Sequence, residues 1–203
     1  MEAILTWLDN THWTEQAYFA LPDSNQIIEL ANGKLIIHEM PTLAHQRAVR
    51  NLAYRLHGWN QRTGAGEVLF AAYPVRLAPG TVREPDVLFY FTEHRDRLGE
   101  QYGGPPDLAV EVLSPSTRQT DLREKLAEYA HAGVTEYWVV DAEARWIEVY
   151  SLDGERYRRV GRYASGQEVV SLLLPGFAVA VADLFGPDPE AAPAGPELPP
   201  ADA

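Results

Sequence analysis

Residues 106–117 read PDLAVEVLSPST, a short apolar run with one acid near its centre. Such a run, followed by Ser, Pro and Thr, predicts a buried strand that ends in a loop. Because side chains alternate between the faces of a strand, Leu108, Val110 and Val112 form one apolar face and Glu111 lies on the other. A carboxylate on a covered face is unfavourable unless it is paired or bound to a cation. Glu111 therefore belongs to a site, faces solvent, or pairs with an arginine.

A second acid interrupts the apolar stretch TVREPDVLFYF at residues 81–91. Asp86 shares its predicted face with Leu88 and Tyr90. Pro85 has no N–H to donate, so the strand is at an edge or irregular at this point. Asp86 is then either part of a site or a strand-end residue in an Asx turn. Two carboxylates on neighbouring strands suit Mg2+, which takes one or two protein carboxylates together with water and phosphate.

The third candidate group is the amine of Lys125, on a helix that the pattern predicts at residues 121–132. Lys125 lies on the flank of its apolar stripe, beside Leu126 and Tyr129. It could pair with Asp121 one turn earlier or extend its amine to solvent. Next to a metal site, it would instead orient an attacking water and stabilise developing charge.

The remaining pattern predicts an α/β (α+β) fold with a central mixed sheet flanked by helices. The predicted elements are a short helix capped by Thr14, a hairpin at 26–39 around Asn32-Gly33, a helix at 43–61, strands at 66–80 with a break at Pro74, at 81–91 and at 107–113, the helix at 121–132, a strand at 136–141, a hairpin at 145–160 turning at Asp153-Gly154, and closing strands within 168–185.

Composition bounds the classes of protein that this chain can be. It has 203 residues, no cysteine and a net charge of −12. Residues 186–203 hold six of the 15 prolines and no basic residue, which predicts a disordered acidic tail after one domain at residues 1–185. No apolar run reaches the ~20 residues of a membrane helix, and the N-terminus does not resemble a signal peptide. We expect a cytoplasmic protein with no membrane contact. The acidic charge argues against broad, sequence-independent nucleic-acid binding.

Three segments resemble one known family. EPDVLF (84–89), PPDLAVEVLSPST (105–117) and DLREKLAEYAHAGVTEYWVVD (121–141) closely resemble the Uma family, a large bacterial group of restriction-endonuclease-like proteins in the PD-(D/E)XK nuclease superfamily. The resemblance extends over about residues 14–185. It implies a core of a helix, three strands, a helix and a strand, with extra β-hairpins around it.

The resemblance also implies a chemistry. It makes Asp86 and Glu111 the metal ligands of a Mg2+-dependent endonuclease acting on DNA, with Mn2+ as a substitute and a backbone carbonyl near Val112 as a further ligand. The superfamily motif places a lysine two residues after the second acid, where this chain has Leu113. The family resembled here takes the amine from the following helix, and Lys125 is the matching residue.

Other interpretations stay open at this stage. The fold could be kept by a catalytically inactive module that binds nucleic acid or protein, and the acids could form structural pairs with Arg83, Arg118 or Arg123. His45 begins the apolar stripe of the long helix and is expected to be a buried or capping histidine. The other five histidines have no metal-ligand spacing, and no nucleic-acid-binding residue is assigned. The resemblance and the predicted strand edges are compatible with a homodimer.

Overall fold

The computed structural model describes residues 12–22, 26–114, 118 and 122–186. The elements in chain order are α1 (Glu15–Phe19), β1 (Ile28–Ala31), β2 (Lys34–Ile37), α2 (Leu43–Thr63), β3 (Gly66–Phe70), β4 (Val75–Ala78), β5 (Thr81–Arg83), β6 (Val87–Phe91), β7 (Leu108–Val112), α3 (Glu124–His131), β8 (Glu136–Asp141), β9 (Trp146–Asp153), β10 (Arg156–Ala164), β11 (Glu168–Val170) and β12 (Ala178–Ala180).

A mixed six-stranded sheet forms the centre of the fold. Its strand order is β10-β9-β8-β7-β6-β3, and β7 and β8 are its parallel pair. These two strands are joined through α3, as a parallel connection requires a crossover. The architecture is α+β, with a central mixed sheet flanked by helices, as the sequence predicts.

The two faces of the sheet pack against different helices. One face presents Val87, Phe89 and Val110 to α2, whose Leu52 and Leu56 are almost completely buried. The opposite face carries an apolar cluster that includes residues of α3, among them Tyr129. This alternation confirms that Glu111 and the apolar face of β7 lie on opposite sides of the sheet.

A smaller four-stranded sheet, in the order β2-β1-β5-β4, lies beside the central one. The β1–β2 hairpin turns at Asn32 and Gly33, which both have positive φ (51° and 72°), as a type I′ turn requires. Leu30 and Val82 are completely buried where β1 pairs with β5. This sheet therefore brings the β1–β2 hairpin close to residues 84–86, which precede β6.

Capping contacts fix the starts of two helices. The Thr14 hydroxyl accepts a hydrogen bond from the Ala17 N–H and begins α1, as predicted. The Thr42 hydroxyl accepts from the His45 N–H and begins α2. Gly64, in the left-handed region, ends α2 two residues later than the sequence pattern predicts.

The structure differs from the sequence prediction in three boundaries. The predicted strand at 81–91 is two strands, because residues 84–86 leave the ladder and β5 joins the smaller sheet. The β9–β10 hairpin turns at residues 154 and 155, since Asp153 pairs with Arg156. The helix predicted at 121–132 is observed as α3 from Glu124, and residue 121 and the part of the predicted tail after residue 186 lie outside the described residues. Among the described residues, no helix has the length and apolar character needed to cross a membrane.

Glu148 on β9 shows how the sheet accommodates a buried acid. Arg159 Nη1 and Arg162 Nε donate to its Oε1 at 2.8 and 3.0 Å, and the Tyr150 hydroxyl donates to Oε2 at 2.6 Å. Burial by itself would raise the pKa of Glu148, but these hydrogen bonds and the arginine charges outweigh it and lower the pKa.

We expect Glu148→Gln to lower the free energy of unfolding by about 1–2 kcal/mol at neutral pH, because the side chain keeps its shape and loses its charge. The folded pKa is lowered, so the carboxylate stabilises the fold above its usual value of 4.5 and ceases to do so as the pH falls through the folded value. In urea unfolding, the difference from wild type should therefore shrink as the pH falls below 4.5. Glu155→Gln, at the exposed turn, is the control. A difference that is constant with pH would contradict the assignment.

Candidate active site

The register of two strands sets the predicted acids opposite each other. In the antiparallel pair β6–β7, Val87 pairs with Val110 and Leu88 with Ala109. Continued by one residue, the same register puts Asp86 opposite Glu111. Both carboxylates are buried, with 7% and 4% of the residue exposed.

Asp86 is held by the backbone of the neighbouring strand. Its Oδ2 accepts a hydrogen bond of 2.7 Å from the Val112 N–H. His45, at the start of α2, has its Nε2 3.4 Å from the same oxygen. By accepting from the Val112 N–H, this carboxylate caps the end of the β6–β7 ladder.

Glu111 and Lys125 are in direct contact. The Lys125 Nζ lies 3.0 Å from Glu111 Oε1, and the Tyr129 hydroxyl donates to the same oxygen at 2.7 Å. Tyr129 is one turn after Lys125 on α3, so the helix supplies both contacts from one face. Burial and the nearby charge of Glu111 raise the pKa of Tyr129 well above its ordinary value, so it remains a donor.

Behind these residues lies a buried charge cluster centred on Glu29. Its Oε1 is 3.0 Å from Lys125 Nζ, and its Oε2 is 2.9 Å from both Arg83 Nη1 and His38 Nε2. Arg83 also makes a two-pronged contact with Glu128 of α3 at 2.7 and 2.9 Å. Burial alone would raise the pKa of Glu29, but the Lys125 charge, the contact with His38 and the Arg83 charge hold it well below its ordinary range.

Glu84 adds a further acid with a different protonation behaviour. The residue is 9% exposed, and the Tyr18 hydroxyl donates to its Oε1 at 3.3 Å. Burial, followed by the negative charge of Glu29, raises the pKa of Glu84 to about 7. Its charge therefore changes near neutral pH, unlike that of Glu29.

Several of these groups line one pocket. Its walls are formed by acids, basic side chains and backbone from β7, α2, α3, the segment after β2 and the segment between β5 and β6. The residues that line it include Asp86, Glu111, Lys125, His45, Glu84, His38, Val112 and Ser114. The three site residues predicted from the sequence thus converge from three separate elements.

Comparisons with known proteins agree with this architecture. The model of the Uma2 family, described as "Putative restriction endonuclease", matches residues 15–182. The chain belongs to the Uma2 family. A crystal structure described as that of a "putative nuclease" from Anabaena variabilis ATCC 29413 superposes with a TM-score of 0.72 and 17% sequence identity, covering 85% of this chain and 97% of that one. A search of curated proteins finds no match.

The Uma2 membership confirms the resemblance in the sequence, and the structural match confirms the restriction-endonuclease-like fold. At 17% sequence identity, this structural match shows the fold alone. The superfamily core predicted for residues 43–141 is present as α2, β3, β6, β7, α3 and β8. The comparisons assign no role to Asp86, Glu111 or Lys125, so these roles remain predictions.

Several alternatives from the sequence can now be evaluated. Lys125 does not extend to solvent, since only 1% of the residue is exposed. Arg83 pairs with Glu29 and Glu128, and Arg118 pairs with Asp141. These two arginines therefore do not form the predicted structural pairs with Asp86 or Glu111. His45 was expected to be a buried or capping histidine; its side chain is 11% exposed, and it also lines the pocket beside Asp86.

The sequence reasoning missed the cluster around Glu29. The signal was present, because Glu29 lies between Ile28 and Leu30 in a hairpin strand, just as Glu111 lies between two valines. His38 and Glu84 were also not assigned to the site. Their approach depends on β1 pairing with β5, which no local pattern indicates.

The donor groups in this Uma2 pocket fit a hard divalent cation. Mg2+ prefers oxygen ligands and usually completes its octahedron with water and phosphate. Asp86 and Glu111 offer two carboxylates, and Val112 lines the same pocket. Within the described ranges, no three His, Asp or Glu side chains are grouped so as to hold a metal by themselves. A cation here would therefore draw further ligands from water, backbone and substrate.

Proposed function

We propose that this protein is a metal-dependent endonuclease that hydrolyses phosphodiester bonds in DNA. The observation that carries the proposal is the convergence of two buried carboxylates and one buried amine on a single pocket. The Uma2 family description and the restriction-endonuclease-like fold support the same reaction class. The fold alone would not support this reaction class, because function depends on the residues of the site.

Asp86 and Glu111 are the groups that hold Mg2+, or Mn2+ in its place. When bound, the ion supplies an acidified water and stabilises negative charge on the phosphate. Asp86 is already oriented by the Val112 N–H, and Glu111 by Tyr129. Such preorganisation avoids the cost of reorienting the carboxylates during the reaction.

Lys125 supplies the amine that the superfamily motif would place two residues after Glu111. Its Nζ is fixed by Glu29 and Glu111 at 3.0 Å each, and the residue lines the pocket. From this position it orients the attacking water and stabilises charge that develops on the phosphate. Leu113, two residues after Glu111, belongs instead to the apolar cluster on that face.

The test is cleavage of plasmid and oligonucleotide DNA by the purified chain with Mg2+ or Mn2+ and with EDTA. We expect cleavage that requires the metal, and none by Asp86→Ala purified in parallel, which controls for contaminating nucleases. If the wild type with metal cuts no form of DNA and cannot be distinguished from Asp86→Ala, the proposal is wrong.

One observation favours a second candidate, a catalytically inactive module with the same fold. Lys125 is buried between two carboxylates, as a purely structural lysine would be. Mn2+ calorimetry separates the two candidates. Binding that is lost in both Asp86→Ala and Glu111→Ala supports the enzyme, whereas binding that is absent from the wild type favours the module.

A further inference from the structure

The long helix α2 carries a charge opposite to that of the chain. It contains four arginines and no acidic residue, whereas the net charge of the chain is −12. Arg55 is neutralised by Asp183 at 2.8 Å. Arg50 donates to the neutral Asn51 side chain, and Arg62 donates to the Gly58 carbonyl. Within the part of the chain that the structure describes, neither of these two has an acidic partner.

A groove runs between this helix and the edge strand β3. It is lined by exposed aromatic side chains, polar or basic ones and an apolar floor, including Tyr54, Phe70, Arg50, His57, Gln46 and Val68. Tyr54 is 78% exposed and Phe70 is 61% exposed. Large aromatic side chains that are exposed along one groove are typical of a binding surface.

The groove adjoins the candidate active site. Gln46 in the groove directly follows His45, which lines the pocket beside Asp86. At the other wall, Phe70 pairs with Val87, and the Ala71 N–H donates to the Asp86 carbonyl at 3.1 Å. A DNA strand lying in the groove would therefore end beside the backbone of Asp86.

We propose that this groove binds a single-stranded segment of DNA and guides it into the pocket. Unpaired bases stack on Tyr54 and Phe70, while Arg50, with His57 nearby, contacts the phosphates. Single-strand binding sites combine these two features, and only unpaired bases offer their faces for stacking. The inference rests on the proposed nuclease function, because it names the form of substrate that reaches the same pocket.

The charge of α2 also decides between occupants. A second copy of the chain in a symmetric dimer would place α2 against α2 and bring arginines towards arginines. A nucleic-acid strand supplies one negative charge per nucleotide, which complements Arg50. The local positive charge also accounts for how an acidic chain could approach DNA.

Binding is tested with a fluorescein-labelled oligothymidine by fluorescence anisotropy in EDTA, so that cleavage plays no part. We expect Tyr54→Ala and Phe70→Ala each to weaken binding on the order of 10-fold, as the loss of one stacked base does. Arg50→Glu should weaken it further and make the affinity less dependent on salt. Arg158→Glu is the matched control, since Arg158 is exposed on β10 at the opposite edge of the same sheet. It should bind nearly as the wild type does.

The proposal is overturned if Tyr54→Ala and Phe70→Ala, folded by circular dichroism, bind the oligonucleotide as tightly as the wild type. It is also overturned if Arg158→Glu weakens binding as much as Arg50→Glu does. A wild-type dimer that Tyr54→Ala dissociates, with DNA binding unchanged, would identify a second copy as the occupant.

The two proposals fail in different ways. If the wild type cuts no DNA but binds the oligonucleotide in a way that depends on the groove residues, the groove proposal stands and the nuclease proposal is wrong. If Tyr54→Ala cuts single strands at the wild-type rate in a metal-dependent reaction, the nuclease proposal stands and the groove proposal is wrong.

Discussion

Lys125→Met should lower the rate of metal-dependent DNA cleavage on the order of 100- to 1000-fold, the effect of removing one preorganised charge-stabilising donor. The Nζ of Lys125 is the amine that lines the pocket beside Glu111, and methionine keeps much of the side chain's length without the charge. The measurement is the single-turnover cleavage rate at saturating Mn2+. It reports the chemical step separately from binding of the DNA.

The methionine also leaves Glu29 and Glu111 facing each other without the cation between them, which would weaken the fold. The double variant Lys125→Met/Glu29→Gln removes one of these two carboxylates and serves as the control. We expect it to fold, as judged by circular dichroism, and to remain as slow as Lys125→Met. A folded double variant that cuts at the wild-type rate would show that Lys125 has only a structural role.

Arg83→Met should lower the free energy of unfolding by about 3–5 kcal/mol, as breaking a buried ion pair does. Arg83 is completely buried and contacts both Glu29 and Glu128. Its removal leaves the Glu29 carboxylate in a low-dielectric interior with less compensation, and an uncompensated buried charge costs more than the pair contributes. Equilibrium urea unfolding in EDTA measures this change in the absence of bound metal.

Arg76→Met is the matched control on the neighbouring strand, where Arg76 pairs with Val82 next to Arg83. Arg76 also forms an ion pair, with Glu15 at 3.0 Å, but its side chain is 41% exposed. We expect a loss of less than about 1 kcal/mol, as for other exposed pairs. Similar losses in the two variants would contradict the view that burial makes the Glu29 cluster a structural requirement.

The central part of the fold was predictable because its signals are local. β7 has one wholly apolar face, and β8 was predicted with its observed bounds, Glu136–Asp141. The alternation of side chains also assigned Glu111 and Asp86 to the correct faces before the strands were known to pair. Two acids on one face of neighbouring strands then needed only the antiparallel register to meet.

The surroundings of the site were not predictable, since they depend on contacts between segments distant in sequence. Pro85 was recognised as an irregularity, but nothing local indicates that β5 leaves the central sheet and pairs with β1. That pairing brings Glu29 beside Arg83 and Lys125. His45 follows a helical pattern that accounts equally well for a core residue, and only the position of α2 above β6 brings it to Asp86.

A crystal of the wild-type protein soaked with Mn2+ tests the central claim most directly, because the anomalous signal of the ion locates it independently of any activity. We predict an Mn2+ ion coordinated by carboxylate oxygens of Asp86 and Glu111, with the Lys125 amine at the same pocket. The same soak of Asp86→Ala should show no ion there. Crystals of the wild type that bind Mn2+ elsewhere, or leave this pocket without it at saturating concentration, would contradict the account.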